Sequence, residues 1–143
     1  VTLALKDDNS DLPNAVIPLS PWAELDPVSE TYDTNANIDP YISKDAIAAF
    51  RDLYIEDESD LINPYASPVY GNYEDFPPLL IQVGGREVLL DDSKKVAESA
   101  ESSGCDVKLE VWDDMVHVFH GYAPFLPEAN EALDAIADFI SDK

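Results

Sequence analysis

The sequence predicts an α/β domain of parallel strands with flanking helices. Three observations carry that prediction. Short apolar runs at Ala15–Leu19 and Leu79–Val83 and an alternating run at Asp106–Trp112 each precede a segment of helical periodicity. The run Leu79–Val83 (LLIQV) is almost wholly apolar, as in a strand covered on both faces. The repeated strand–helix order implies parallel strands joined by right-handed crossovers.

The first residues, Val1–Lys6 (VTLALK), read as the last turns of a helix, because no capping residue precedes them. Asp7–Asn14 is a polar loop. Ala15–Leu19 (AVIPL) reads as a buried parallel strand, although Pro18 removes one ladder donor. Residues 23–43 carry Pro27 and Pro40 and read as an irregular excursion. Ser43 suits the cap of a helix from Lys44 to about Ile55, with Ile47, Phe50, Leu53 and Tyr54 on one side. Residues 56–78 are again irregular, stiffened by Pro64, Pro68, Pro77 and Pro78. Long connections of this kind are often functional.

After Leu79–Val83, Gly84-Gly85 lets the backbone turn tightly. A helix from about Asp91 to Ser103 follows, with acids at its start and Gly104 at its stop. Asp106–Trp112 (DVKLEVW) alternates Val107, Leu109 and Val111 with Lys108 and Glu110, as in a half-exposed strand near a sheet edge. The last helix starts near Pro127 and would pack Leu133, Ile136, Ala137 and Ile140 on the sheet. Three strands make a thin sheet for this much helix, so one side of the unit calls for more sheet.

A chain of 143 residues with 45% apolar side chains suits one globular domain. Its net charge of −22 argues against nucleic acid or an anionic membrane as partner. The scattered acids read as a solubilising surface, and a sharper reading is adaptation to high salt. No apolar run reaches membrane-span length, and the first residues lack a signal-peptide pattern, so the default location is cytoplasmic. The single Cys105 excludes an internal disulfide and reads as packing.

Chemistry is sought at the C-terminal ends of parallel strands, where open α/β sheets bind ligands. Glu87 lies in the turn after the second strand and His117 in the turn after the third. Adjacent strand ends would bring these turns together, and a carboxylate orienting a histidine is two-thirds of a nucleophilic triad. His120 competes with His117, and Asp91 and Asp92 compete with Glu87. Arg86 would pair with one of the acids. No Gly-x-Ser-x-Gly elbow, His-Gly-Gly loop, GxGxxG or P-loop occurs, and zinc-type ligand spacing is absent. No cofactor or metal is therefore expected.

Several stretches together resemble the hormone-sensitive-lipase-like (family IV) esterases of the α/β-hydrolase fold. VTLAL resembles the helix after the nucleophile elbow, and AVIPLSPWAELD the next strand and its Ser-Pro-Trp turn. NPYASPVYGNYEDFPPLLIQVGGREVLLDDS resembles the segment with the triad acid, and GCDVKLEVWDDMVHVFH the final strand and histidine turn. The resemblance implies that His117 is the catalytic histidine and Glu87 the triad acid. Ser20-Pro21-Trp22 and Ser67-Pro68 resemble structural motifs of the family. Val116 stands where proline is commoner, and Arg86 where many relatives have Asp.

The family's oxyanion loop and serine elbow do not occur. The resemblance thus implies that residues 1–143 are the C-terminal portion of a single α/β-hydrolase domain, incomplete without an N-terminal piece. The implied function is that of a serine carboxylesterase on short- to medium-chain acyl esters, with the nucleophilic serine supplied by that N-terminal fragment. The alternatives are a non-catalytic acidic interaction domain and a related peptidase. Edge-to-edge pairing of residues 106–112 would give a two-fold homodimer.

Overall fold

A computed structural model describes all 143 residues. Its centre is β1 (Leu79–Gly84), buried at every position. β1 pairs in parallel with β2 (Val107–Trp112), Leu79 lying opposite Val107 and Gly84 opposite Trp112. The crossover between them is α4 (Leu90–Ser102). Val16–Leu19 lies along the other side of β1, so β1 is central and β2 is the outer strand.

Ala15–Leu19 is not the continuous buried strand its sequence suggests. It makes two isolated parallel bridges, Val16 to Leu79 and Leu19 to Gln82, and its side chains are only half-buried. The Val16 and Ser20 N–H groups donate to the Pro78 and Gln82 carbonyls, while Leu80 and Gln82 donate back to Val16 and Pro18. That register requires a rung from residue 18 to the Leu80 carbonyl. Proline has no N–H to give it, and the ladder breaks in its middle.

Helices cover both faces of β1, which explains why none of its side chains meets solvent. On one face α1 (Thr2–Asp7) and α4 enclose Leu3, Tyr73, Leu79, Ile81, Val96 and Ala100. On the other, α5 (Pro127–Ser141) packs Ala129 and Ala132 against Phe119. The Gln82 amide donates to the Ala132 carbonyl at 3.0 Å, and a helix that close to the sheet needs small residues at the contact. This corrects the apolar face expected for α5: Leu133 and Ile140 are exposed, and the alanines carry the seam. The two-sided cover also breaks the alternation expected in β2. Glu110 is half-buried and accepts the Gln82 amide, whereas Val111 is exposed.

The excursion over 23–43 is less irregular than its composition suggests. It contains α2 (Thr31–Thr34), whose Tyr32 packs with Ile47, Val88 and Leu89 in a second small core. α3 (Lys44–Tyr54) is capped by Ser43, whose hydroxyl accepts the Ala46 N–H. Only Ile47 of its expected apolar side is buried; Phe50, Leu53 and Tyr54 are exposed. The 56–78 connection holds two short 3₁₀ turns, Glu58–Ile62 and Pro68–Tyr70. No helix is long and apolar enough to cross a membrane.

Candidate active site

The site forms where β1 and β2 end. A side chain at Gly84 would place a Cβ 2.3 Å from the Met115 carbonyl oxygen, and one at Gly85 would lie 2.4 Å from that of Asp113. Neither glycine has a positive φ. Their use is therefore close approach between two turns, not the tight turning that the Gly-Gly pair suggests in sequence. The approach is fastened by Gly85 N–H to the Trp112 carbonyl at 2.8 Å and Arg86 N–H to the Met115 carbonyl at 3.0 Å.

This interlock brings Glu87 and His117 together. Glu87 is completely buried, and its Oε2 lies 2.9 Å from His117 Nδ1. Its Oε1 accepts the Gly84 N–H at 2.6 Å and the Ser20 hydroxyl at 2.7 Å. Both carboxylate oxygens are thus engaged, which satisfies a buried charge. With Glu87 ionised, Nδ1 carries the imidazole hydrogen and Nε2 keeps its lone pair. The His117 side chain is 25% exposed, and Nε2 has no partner within the chain.

The surroundings hold the acid turn rigid. Asn35 Nδ2 donates to the carbonyls of Gly85 and Glu87, and Asp39 accepts the Val88 N–H. Thr31 Oγ1 donates to the Val88 carbonyl. On the histidine side, Val118 sits at φ +48, a left-handed conformation unusual for a β-branched residue and costing of order 1–3 kcal/mol. Its N–H donates to Ser20 Oγ at 3.1 Å.

The competing residues are placed elsewhere. His120 is buried and stacks on Phe119. The Gln82 amide nitrogen is committed to Glu110 and Ala132, so the 2.9 Å contact of Gln82 Oε1 with His120 Nε2 requires the hydrogen on Nε2. Burial pushes the His120 pKa down, with the Glu87 charge acting against it. Asp91 accepts the Thr31 N–H, and Asp92 the N–H groups of Ala23 and Glu24. Both fasten loops from the first turn of α4. Arg86 is exposed and makes no ion pair, contrary to the expected pairing with an acid. The Cys105 thiol lies near the Phe76 and Pro77 carbonyls, and burial raises its pKa. No group of three His, Cys, Asp or Glu side chains is placed to hold a metal ion.

The sequence reading missed Ser20, Asn35 and Asp39 as parts of this site. Ser20 was detectable: it follows a strand-like segment at the same sheet edge as Glu87 and His117. Asn35 and Asp39 lie in a stretch without periodicity and gave no signal. An apolar cavity of about 170 Å³, lined by Leu3, Val16, Trp22, Tyr73 and Phe76 among others, contains neither Glu87 nor His117.

Residues 1–121 match a family model described as α/β-hydrolase fold. The chain is 35% identical to an acetyl-hydrolase of Streptomyces hygroscopicus, over 96% of this chain and 46% of that protein. It is 34% identical to an esterase of Acinetobacter venetianus, over 97% of this chain and 46% of that protein. Among solved structures, an esterase from the bacterial hormone-sensitive lipase family superposes with a TM-score of 0.92 at 40% identity, over 96% of this chain and 46% of that one. EstE5 soaked with ethyl alcohol superposes with a TM-score of 0.93 at 38% identity, over 98% and 47%. The chain spans about half the length of the relatives it matches.

Proposed function

Because this chain belongs to the α/β-hydrolase fold family, in its hormone-sensitive-lipase-like branch, we propose that it supplies the acid and the base of a serine carboxylesterase. The observation that carries the reading is the 2.9 Å contact between a fully buried Glu87 and a part-exposed His117 at the ends of two adjacent parallel strands. An N-terminal part of the same hydrolase, carrying the nucleophilic serine and the oxyanion donors, completes the domain of which residues 1–143 are the C-terminal portion.

His117 Nε2, the free lone pair, accepts the proton of the serine hydroxyl as that oxygen attacks the ester carbonyl. The imidazolium so formed keeps its Nδ1–H on Glu87, whose negative charge stabilises it and fixes the tautomer. Nε2–H then protonates the departing alkoxide. Water repeats the sequence on the acyl-enzyme, with His117 again as base. The oxyanion is held by backbone N–H groups outside this chain. Short- to medium-chain acyl esters are the proposed substrates. The outer edge of β2 is proposed to pair with a second copy in a two-fold dimer, and a monomer mass by light scattering would count against it.

The direct test combines the chain with an N-terminal part carrying the serine and assays a short-chain aryl ester. Activity is expected only in the combination and is lost in His117→Ala. Substantial hydrolysis by the chain alone, retained in His117→Ala, would overturn the assignment.

A further inference from the structure

Glu87 and His117 belong to different turns. The two backbone hydrogen bonds that join those turns, Gly85 N–H to Trp112 and Arg86 N–H to Met115, hold the main chains together without touching the Glu87 carboxylate. One side chain from a third segment touches both. Ser20 Oγ donates to Glu87 Oε1 at 2.7 Å and accepts the Val118 N–H, one residue beyond His117, at 3.1 Å. A hydroxyl has one hydrogen to give and lone pairs to receive, so both bonds form simultaneously. Ser20 is buried and sits at φ +47, a conformation that serine rarely adopts. That backbone geometry comes directly after the interrupted rung at Pro18, where the chain leaves the sheet beside Gln82.

From this geometry we propose that Ser20 is a positioning residue of the acid–histidine pair: its hydroxyl fixes the Glu87 carboxylate and the His117 turn to one point. The proposal rests on the esterase reading for its catalytic consequence, but its structural content is independent of it. Of the two Glu87 oxygens, Oε2 is left for the imidazole because Oε1 is occupied by Ser20 and by the Gly84 N–H. Without the hydroxyl, Oε1 keeps only the Gly84 N–H, the carboxylate is held by one hydrogen bond fewer, and the strained Val118 turn loses its tie to the acid. Ser20 touches no reacting atom; it acts through Glu87 and Val118.

Two substitutions separate the hydroxyl from the backbone. Ser20→Ala removes the hydroxyl and keeps a Cβ in the left-handed conformation. Ser20→Gly removes the hydroxyl and relieves that conformation. The first measurement is proton NMR of the chain joined to its N-terminal part. An Nδ1 proton held between imidazole and a buried carboxylate gives a downfield signal protected from exchange, assigned by its absence in His117→Ala. It is expected in the unmodified chain and expected to be lost or broadened in both Ser20 variants. The second is ester hydrolysis by the chain joined to its serine-bearing N-terminal part. There kcat is expected to fall between about tenfold and a hundredfold, with KM held within about twofold.

If Ser20→Ala does not fold, Ser20→Gly alone decides. A signal absent from the unmodified chain overturns the proposal, as does one unchanged in either folded variant. Loss in Ser20→Ala with retention in Ser20→Gly would assign Ser20 a backbone role only. If the signal follows Ser20 while the joined protein hydrolyses no ester, the positioning role stands and the esterase reading fails. If ester turnover is present and kcat ignores Ser20, the esterase reading stands and the positioning role fails.

Discussion

Glu87 and Asp92 are both completely buried carboxylates, five residues apart at the same end of α4. Each accepts backbone N–H groups: Gly84 for Glu87, Ala23 and Glu24 for Asp92. They differ in what occupies the second oxygen. Glu87 offers it to an imidazole at 2.9 Å, with a serine hydroxyl on the first. Asp92 Oδ1 has no hydrogen-bond partner, and burial pushes its pKa up to about 6, assisted by the Glu24 charge and opposed by its N–H donors and Lys95. Burial with N–H donors therefore does not distinguish the two carboxylates. The partner on the far oxygen does. Glu87 presents its charge to a group that can become cationic, and Asp92 spends its charge on holding the 23–24 loop.

The largest expected effect follows from that difference. Glu87→Gln leaves an acceptor for Ser20 and Gly84 but presents an amide to the imidazole, favouring the wrong tautomer. Under the proposed esterase function, ester turnover by the chain joined to its N-terminal part should fall about 10³- to 10⁴-fold. Asp92→Asn keeps an oxygen for the Ala23 and Glu24 N–H groups, so turnover should stay within about threefold, the change expected of a residue outside the site. Equal losses in steady-state kinetics would abolish the distinction between the two acids.

Next in size is the pH dependence of stability. The folded Asp92 pKa, near 6, lies above the ordinary carboxylate value of 3.8. Its contribution to stability is fully present below the unfolded value and is lost as pH rises through the folded one. The loss amounts to at most roughly 3 kcal/mol between about pH 4 and 6. His120 works the other way. Its folded pKa is depressed by burial, so its contribution is present above the ordinary imidazole value and is lost as pH falls through the folded one. The difference between wild-type and Asp92→Asn urea midpoints isolates the first slope. A difference that does not change across this interval would show that Asp92 is not held above its ordinary value.

Smaller still is the effect of parting the turns that carry the pair. Gly85→Ala places its Cβ against the Asp113 backbone and should destabilise by about 1–3 kcal/mol in denaturant midpoints. Gly104→Ala, where a Cβ meets nothing within 4 Å but φ is +80, costs only the left-handed penalty of about 1 kcal/mol. A Gly85→Ala midpoint no lower than that of Gly104→Ala would rule out close approach as the reason for the glycine. The smallest expected effect concerns the surface. At a net charge of −22, added salt screens self-repulsion and should raise the melting temperature. No gain between dilute buffer and molar salt would exclude salt adaptation.

The α/β class, the parallel order and the cap of α3 were legible in the sequence. It also nominated Glu87 and His117 beside the rivals Asp91, Asp92 and His120, and left the choice between them to the family resemblance. Apart from that choice, each rests on local information: apolar runs, a serine before a helix, and polar residues just beyond strand ends. The broken ladder at Pro18 was half legible, since the missing donor is a property of proline. Its consequence, two bridges instead of a strand, depends on the register against β1. The apolar faces of α3 and α5 were misjudged because periodicity shows that a stripe exists, not what covers it.

Tertiary structure alone decided the site's construction. Ser20 and Glu87 are 67 residues apart in sequence, and Ser20 and Val118 are 98 apart. Asn35 and Asp39 reach the acid turn from a segment without periodicity. Whether Gly84-Gly85 serves to turn a chain or to admit a neighbour depends on where the Asp113–Val116 turn lies. Sequence pattern determines which residues stand at the strand ends, because backbone period and turn chemistry are local. Which of them meet is set by packing between distant segments, and that packing leaves no periodic trace.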